Sequence, residues 1–319
     1  MKTIIIQPPL VQLNSPYPSG AYLSSFFRLN GTDTLWLDLS IRLVRRIFSK
    51  AGLETLFSKS EKKALELAQE YRRQGNEEAA ITVRDFLLQS DLWIRNIDSI
   101  FSMLTDGSRE SGREFCHKFI SSPFSPRGPR MTALMENMDH DPTTDDARNI
   151  ACMAIADLAD YITFTFDPNF SLVRYAESLT VSETSFSSIE ESVESPVLKS
   201  FYQPILEEEF SGRTKASSMM EAATEDDPVL ICISVPFAGT FTPALFTGKW
   251  LKEKFGKKVR ISMGGGFINT ELRTAEETAL CRYTDFFSYD RGYGSYRAMI
   301  DGGLLRNFSG KKEYKLRQF

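Results

Sequence analysis

Residues 227–303, DPVLICISVPFAGTFTPALFTGKWLKEKFGKKVRISMGGGFINTELRTAEETALCRYTDFFSYDRGYGSYRAMIDGG, read as a complete βαβαβ run. Residues 229–235 are a short apolar run without strict alternation, the pattern of a strand buried on both faces. Pro236 and Gly239 stop it and free the backbone for a turn. From 242 to 255, Leu245, Trp250 and Leu251 fall near one another at helical spacing, Lys249, Lys252, Glu253 and Lys254 are left to solvent, and Gly256 ends the helix. Residues 259–263 predict a second strand opening into Gly264, Gly265 and Gly266, and 275–283 a second helix. A third strand follows at 285–289, closed by Gly292 and Gly294. Strands joined through helices run parallel. The three glycine-bearing loops therefore share the carboxyl edge of the sheet, where open α/β sheets hold ligands.

Upstream, three consecutive isoleucines within 3–7, ended by Pro8 and Pro9, suit a central parallel strand. Tyr22, Leu23, Phe26, Phe27 and Leu29 pattern a helix over 20–29, and 34–37 reads as another strand. Residues 1–40 thus form one βαβ unit that needs 227–308 to bury its sheet. The expected fold is α/β, with a five-stranded parallel flavodoxin- or Rossmann-like sheet of order 2-1-3-4-5 and a large all-helical insertion over 41–226. Helical spans are expected at 41–51, 60–74, 77–89, 93–104, 112–121 and 145–166, with shorter pieces at 173–179, 187–194 and 197–210 broken by prolines. Phe57, Trp93, Phe101, Phe164 and Phe170 require a surface to pack on, so the insertion is expected to lie against the sheet and not to fold alone. Two separate domains, one helical and one α/β, are the alternative. Residues 211–228 read as a mobile hinge back into the sheet, and 309–319 as a tail leading to a further domain.

The chain has 319 residues, 42% hydrophobic and 25% charged, with a net charge of -4. That composition supplies core for one large or two ordinary domains. No run approaches the roughly 18 apolar residues of a membrane helix, the amino terminus is too short for a secretory signal, and no basic stripe tracks a phosphate backbone. A cytoplasmic protein with neither membrane nor nucleic-acid partner is expected. Cys116, Cys152, Cys232 and Cys281 lie far apart and read as reduced thiols, and His117 and His140 stand alone without metal-site spacing. No nucleophile is paired with histidine, no Walker lysine occurs, and GGGF lacks the dinucleotide fingerprint. The candidate site therefore consists of backbone amides, small hydroxyls and glycines that permit close approach. On the first loop it comprises Pro9, Leu10, Ser19 and Gly20; on the third-strand loop Ser234, Pro236, Gly239 and Thr240. The later loops add Gly264, Gly265, Gly266, Asn269, Asp290 and Gly292. No catalytic residue and no metal ligand is expected.

The stretches QPPLVQLNSPYPSGAYLSSFFRLNG (7–31), WLDLS (36–40), ICISVPFAGTFTPALFTGKWLKEKFGKKVRISMGGGFINTELR (231–273) and TDFFSYDRGYG (284–294) resemble the amino-terminal cobalamin-binding region of cobalamin-dependent radical S-adenosylmethionine enzymes. DPNFSLVRYAESL (167–179) resembles the helical insert of one branch of that family. The resemblance implies cobalamin as cofactor. As partner it implies a carboxyl-terminal radical S-adenosylmethionine barrel that binds S-adenosylmethionine and a [4Fe-4S] cluster through a CxxxCxxC motif. No such motif occurs here, so the chain is expected to be a piece of a longer enzyme, without catalysis of its own and with its small-molecule substrate unspecified. Asp290, Arg291, Gly292 and Tyr293 stand where the family carries an acidic ending. Many cobalamin domains place a histidine after the first strand. Leu10, Val11, Gln12, Leu13 and Asn14 occupy that loop here, implying base-off cobalamin without a histidine ligand. Two other readings compete: a regulatory or interaction module with a vestigial sheet and a partner-binding helical insert, and a flavodoxin-like enzyme, which the absence of acid, base or nucleophile disfavours.

Overall fold

The computed structural model describes residues 1–11, 17–106, 109–170, 172, 186–275, 277–309 and 315–319. The chain divides into two compact units, one formed by 1–43 with 173–319 and the other by 44–172.

The first unit holds a six-stranded sheet in the order β2-β1-β3-β4-β5-β6. It opens with β1 (Lys2–Gln7), α1 (Ser19–Leu29), β2 (Asp33–Asp38) and α2 (Leu39–Ile47), within which the division falls. The second unit consists of α3 (Lys50–Arg73), α4 (Glu77–Leu88), α5 (Ser90–Asp106), α6 (Arg109–Ser121), α7 (Pro129–Glu136) and α8 (Thr144–Thr165). The chain then returns through α9 (Phe186–Val193), a π-helical turn, α10 (Gln203–Ser211) and α11 (Lys215–Glu221). It continues through β3 (Val229–Ser234), α12 (Phe241–Phe255), β4 (Val259–Gly264), α13 (Gly266–Thr270), β5 (Phe286–Ser288), α14 (Tyr293–Gly302) and β6 (Leu316–Gln318). The stretch read as one helical insertion over 41–226 is thus shared, because α9 to α11 belong with the sheet. No helix among the described residues is long and apolar enough to cross a membrane.

Five strands run parallel in the expected order 2-1-3-4-5, which reverses between β1 and β3. Every residue of β3 is buried. Pleating sends Ile5, Leu230, Cys232 and Phe286 to one face, where they pack with Phe27 of α1 and Tyr296 and Met299 of α14. Met263 points the other way, toward Gly248 of α12. Helices therefore cover both faces of a mostly parallel sheet.

The expectation of five strands is corrected by β6, which pairs antiparallel with β5. Its three residues are too few to show alternation. The pairing is extended by the Phe319 amide, which donates to the Asp285 carbonyl at 2.9 Å, and by Phe319 packing edge-on against Phe287. The α-helix expected over 275–283 is a 3-10 turn at Thr278–Arg282. Its buried residues, Leu280 and Tyr283, are three apart, which suits three residues per turn. The hinge expected over 211–228 contains α11, capped by Thr214 and burying Ala216, Met219 and Met220 at helical spacing. The helix expected over 41–51 breaks before Ser49, whose hydroxyl caps α3 by accepting from the Gly52 amide. The span 173–179 lies outside the described residues.

In the second unit the expected aromatics find partners among its own helices. Trp93 is fully buried and stacks on Phe86, Phe57 packs on Tyr161, and the Tyr161 hydroxyl meets Ser60 at 2.9 Å. Phe170 is buried as well, whereas Phe164 is exposed.

Candidate functional site

The strand register sets one row of side chains along the carboxyl edge: Asp38 of β2, Gln7 of β1, Ser234 of β3, Gly264 of β4 and Ser288 of β5. The β1–β3 ladder runs through Ile6 and Ile233, so Gln7 lies level with Ser234. By the same parity as Ile5 and Cys232, this row faces α1 and α14. At the reversal between β1 and β3 the described residues of the two flanking loops touch at two places. The hydroxyls of Ser19 and Ser234 lie 3.0 Å apart at the base. The rings of Tyr17 and Phe237 meet edge-on with centroids 5.9 Å apart at the rim. Ser40 accepts from the Val11 amide at 3.2 Å, tying the β1 loop to the start of α2, and Asp38 caps that helix by accepting from the Ser40 and Ile41 amides.

The residues expected to form one site fall into two groups. Ser19, Ser234, Pro9, Leu10, Pro236, Gly239 and Thr240 belong to the loops at the β1–β3 reversal. Within that group the Thr240 hydroxyl is fully buried and donates to the Phe237 carbonyl at 2.7 Å, which makes it part of the turn. Gly20 packs against the Trp36 indole, leaving no room for a Cβ. The second group lies one and two strands further along, at the ends of β4 and β5. There the Asn269 amide nitrogen donates to the Gly265 and Asp290 carbonyls at 2.9 and 3.2 Å, and its oxygen accepts from the Asp290 amide at 2.6 Å. Asp290, with φ of 55°, is further held by Arg273 at 3.1 Å and Lys315 at 2.6 Å. Those hydrogen bonds, Lys315 first, hold its carboxyl below the usual range.

The glycine triplet meets protein backbone. A Cβ on Gly265 would lie 2.6 Å from the Val235 carbonyl oxygen, one on Gly266 2.7 Å from that of Pro236, and one on Gly264 3.0 Å from that of Ser288. Gly265 also has φ of +123°, a conformation L side chains rarely adopt. Gly292 caps α14 at φ +77° against the Tyr296 ring. GGGFINTELR and YDRG are therefore two halves of one interlock that fixes the β4 and β5 loops.

Sequence reasoning missed Gln7, Tyr17, Phe237 and Tyr296. Gln7 was the most legible of these, a polar residue directly after three isoleucines. It is 2% exposed, and its carboxamide oxygen has no hydrogen-bond partner among the described residues. Tyr296 places its hydroxyl 3.5 Å from Ser262 on the same face, and burial pushes both this phenol and the Cys232 thiol well up. The loop-bearing segments are without charge: 3–27, 228–248 and 261–270 contain no Asp, Glu, Lys, Arg or His. Both histidines lie in the other unit, His117 exposed on α6 and His140 beside Asp146, and no group of metal-binding side chains exists among the described residues. Chemically, the β1–β3 reversal offers hydroxyls, a buried amide oxygen and an aromatic pair.

Comparison of the chain with known protein families, curated proteins and solved structures finds no match.

Proposed function

We propose that the sheet-bearing unit is a cobalamin-binding module that works with a radical S-adenosylmethionine barrel carrying a [4Fe-4S] cluster. The observation that supports it best is the composition of the β1–β3 reversal: uncharged loops, a hydroxyl pair from Ser19 and Ser234, and the unpartnered Gln7 oxygen. These groups suit a large neutral cofactor rich in amides, which Ser19, Ser234 and Gln7 would hold. When bound, cobalamin would supply a cobalt centre for methyl transfer or related chemistry. The chain's own contribution would be to bind it through these loops. With no histidine in this unit, the chain would offer cobalt no imidazole there, and cobalamin would bind base-off. The partnership with the barrel rests on the motif resemblance.

Titration of the chain with hydroxocobalamin, followed by absorption, tests this reading. Weak binding with a base-off spectrum, unchanged in His117→Ala and His140→Ala, is the expected result. A nitrogen-ligated spectrum that disappears with either histidine would defeat the assignment. Absence of binding at high cofactor concentration would favour an interaction module instead.

A further inference from the structure

Residues 315–319 reach the carboxyl edge at more places than a three-residue strand needs. The Lys315 carbonyl accepts from the Tyr289 amide at 3.0 Å and from the Ser295 hydroxyl at 2.9 Å, and its ammonium pairs with Asp290 at 2.6 Å. The Arg317 guanidinium donates to the Arg273 carbonyl at 3.1 Å and to the Ala275 carbonyl. The Gln318 oxygen accepts from the Phe308 amide at 2.6 Å. One segment thus joins the β4 loop, the β5 loop, the start of α14 and the chain that follows it. Its apolar anchorage is slight. Of the five residues only Leu316 is buried, in the cluster with Ile5, Phe27 and Phe286. A three-residue edge strand held by one buried side chain opens at lower cost than the whole sheet.

What this segment holds has little other support. Among the described residues, the hydrogen bonds and ion pairs that 269–275 makes beyond its own turn run to Asp290 and Arg317. Arg273 also lies over the Tyr289 ring, 5.2 Å from its centroid. Residues 265–268, by contrast, are fastened to the β3 loop: the Phe267 amide donates to the Val235 carbonyl at 3.2 Å, and its ring packs on Phe241. We infer that residues 315–319 are a releasable strap. Bound, they close the β4 and β5 loops on one another; when they lift, 269–275 and 289–292 open with them as one unit, while the β1–β3 reversal stays folded. In the closed state the Asn269 carboxamide and the Asp290 carboxylate are taken up by each other's loops, Arg273 and Lys315; in the open state both face solvent. The strap therefore controls the half of the carboxyl edge that β4 and β5 supply. No cofactor is required for this motion, so it stands or falls apart from the cobalamin reading.

Native-state hydrogen exchange at residue level, on the whole chain in low urea, tests this with wild type, Arg317→Met and Lys315→Met. In wild type the amides of Glu271, Asp290 and Phe319 should exchange through one opening, with equal dependence on urea. Each substitution is expected to speed all three by about tenfold, the equilibrium effect of losing one charge-assisted hydrogen bond, and to leave Ile231 and Ile233 of β3 unchanged. Glu271 is the sharpest reporter, since its amide bonds to the Phe267 carbonyl within its own turn and to neither substituted side chain. Acceleration confined to the partners of the substituted residue, no acceleration in either variant, or equal acceleration in β3 in both variants would overturn the inference. Should Arg317→Met alone loosen β3, Lys315→Met decides: common acceleration of the three amides with β3 unmoved supports the strap, and any other pattern overturns it.

Discussion

Single residues here carry backbone roles that their composition disguises. Gly265→Ala would force a side chain into φ +123° and into the Val235 carbonyl, so it should destabilise the sheet unit by about 2–4 kcal/mol. Calorimetry checks this. An unchanged transition with lost cofactor binding would instead make the residue a ligand contact. Asp157 presents a different case. From α8 it accepts the Arg130 and Met131 amides at the start of α7, at 2.9 and 3.0 Å, and burial pushes its carboxyl up to about 6 despite those bonds. Because the folded value exceeds the ordinary one, the native state binds the extra proton between about pH 4 and 6. Stability linked to this group is therefore full below that window and declines as pH rises through it, by roughly 3 kcal/mol. Hydrogen exchange of the α7 amides in the whole chain, corrected for intrinsic rate, should show protection falling from pH 4.5 to 7 in wild type and a flatter profile in Asp157→Asn. Equal slopes would exclude Asp157 as the source.

At the level of elements, Asn269 connects the β4 loop to the β5 loop through two hydrogen bonds with Asp290 and holds its own turn with a third to Gly265. Asn269→Ala should cost about 1–3 kcal/mol and expose residues 289–292 to faster exchange. Slower exchange, or no change there, would show that the Arg273 and Lys315 pairs with Asp290 suffice. What was legible in the sequence divides along the same lines. Buried parallel strands announce themselves, because burial on both faces demands unbroken apolar runs, and 3–7 and 229–235 supply them. The reversal between β1 and β3 follows from that chain order. β6 could not be read, since its three residues are defined by the partner strand's ladder, nor could the 3-10 turn at Thr278–Arg282, where only Leu280 is buried. The glycine triplet drew attention as a ligand cradle because sequence shows missing side chains and not what fills their place; here that is carbonyl oxygen from Val235, Pro236 and Ser288. Gln7 went unremarked because a glutamine among isoleucines looks like a strand end until its burial is known.

For the molecule as a whole, the division at 43/44 and 172/173 raises the question of whether 44–172 folds alone. Its helices carry their own start signals: Ser49 caps α3, Asn76 caps α4, and Thr143 with Asp146 forms a capping box on α8. Its largest side chains are met from within. Trp93 and Tyr161 both contact the Phe86 ring, and Leu53, Leu56, Ile97, Ile150 and Leu158 are fully buried. Its length falls in the range where single domains sustain a core, and helix-to-helix contacts local in sequence favour rapid folding. Expressed by itself, 44–172 should be helical by circular dichroism and unfold in urea as one cooperative transition. Trp93 is the sole tryptophan of that span and reports directly on its core. Its emission should shift sharply to the red at the same denaturant concentration at which helicity is lost. A broad, non-coincident pair of transitions would mean that these helices depend on the sheet-bearing unit, and the helical block would then be an insertion in the energetic as well as the topological sense.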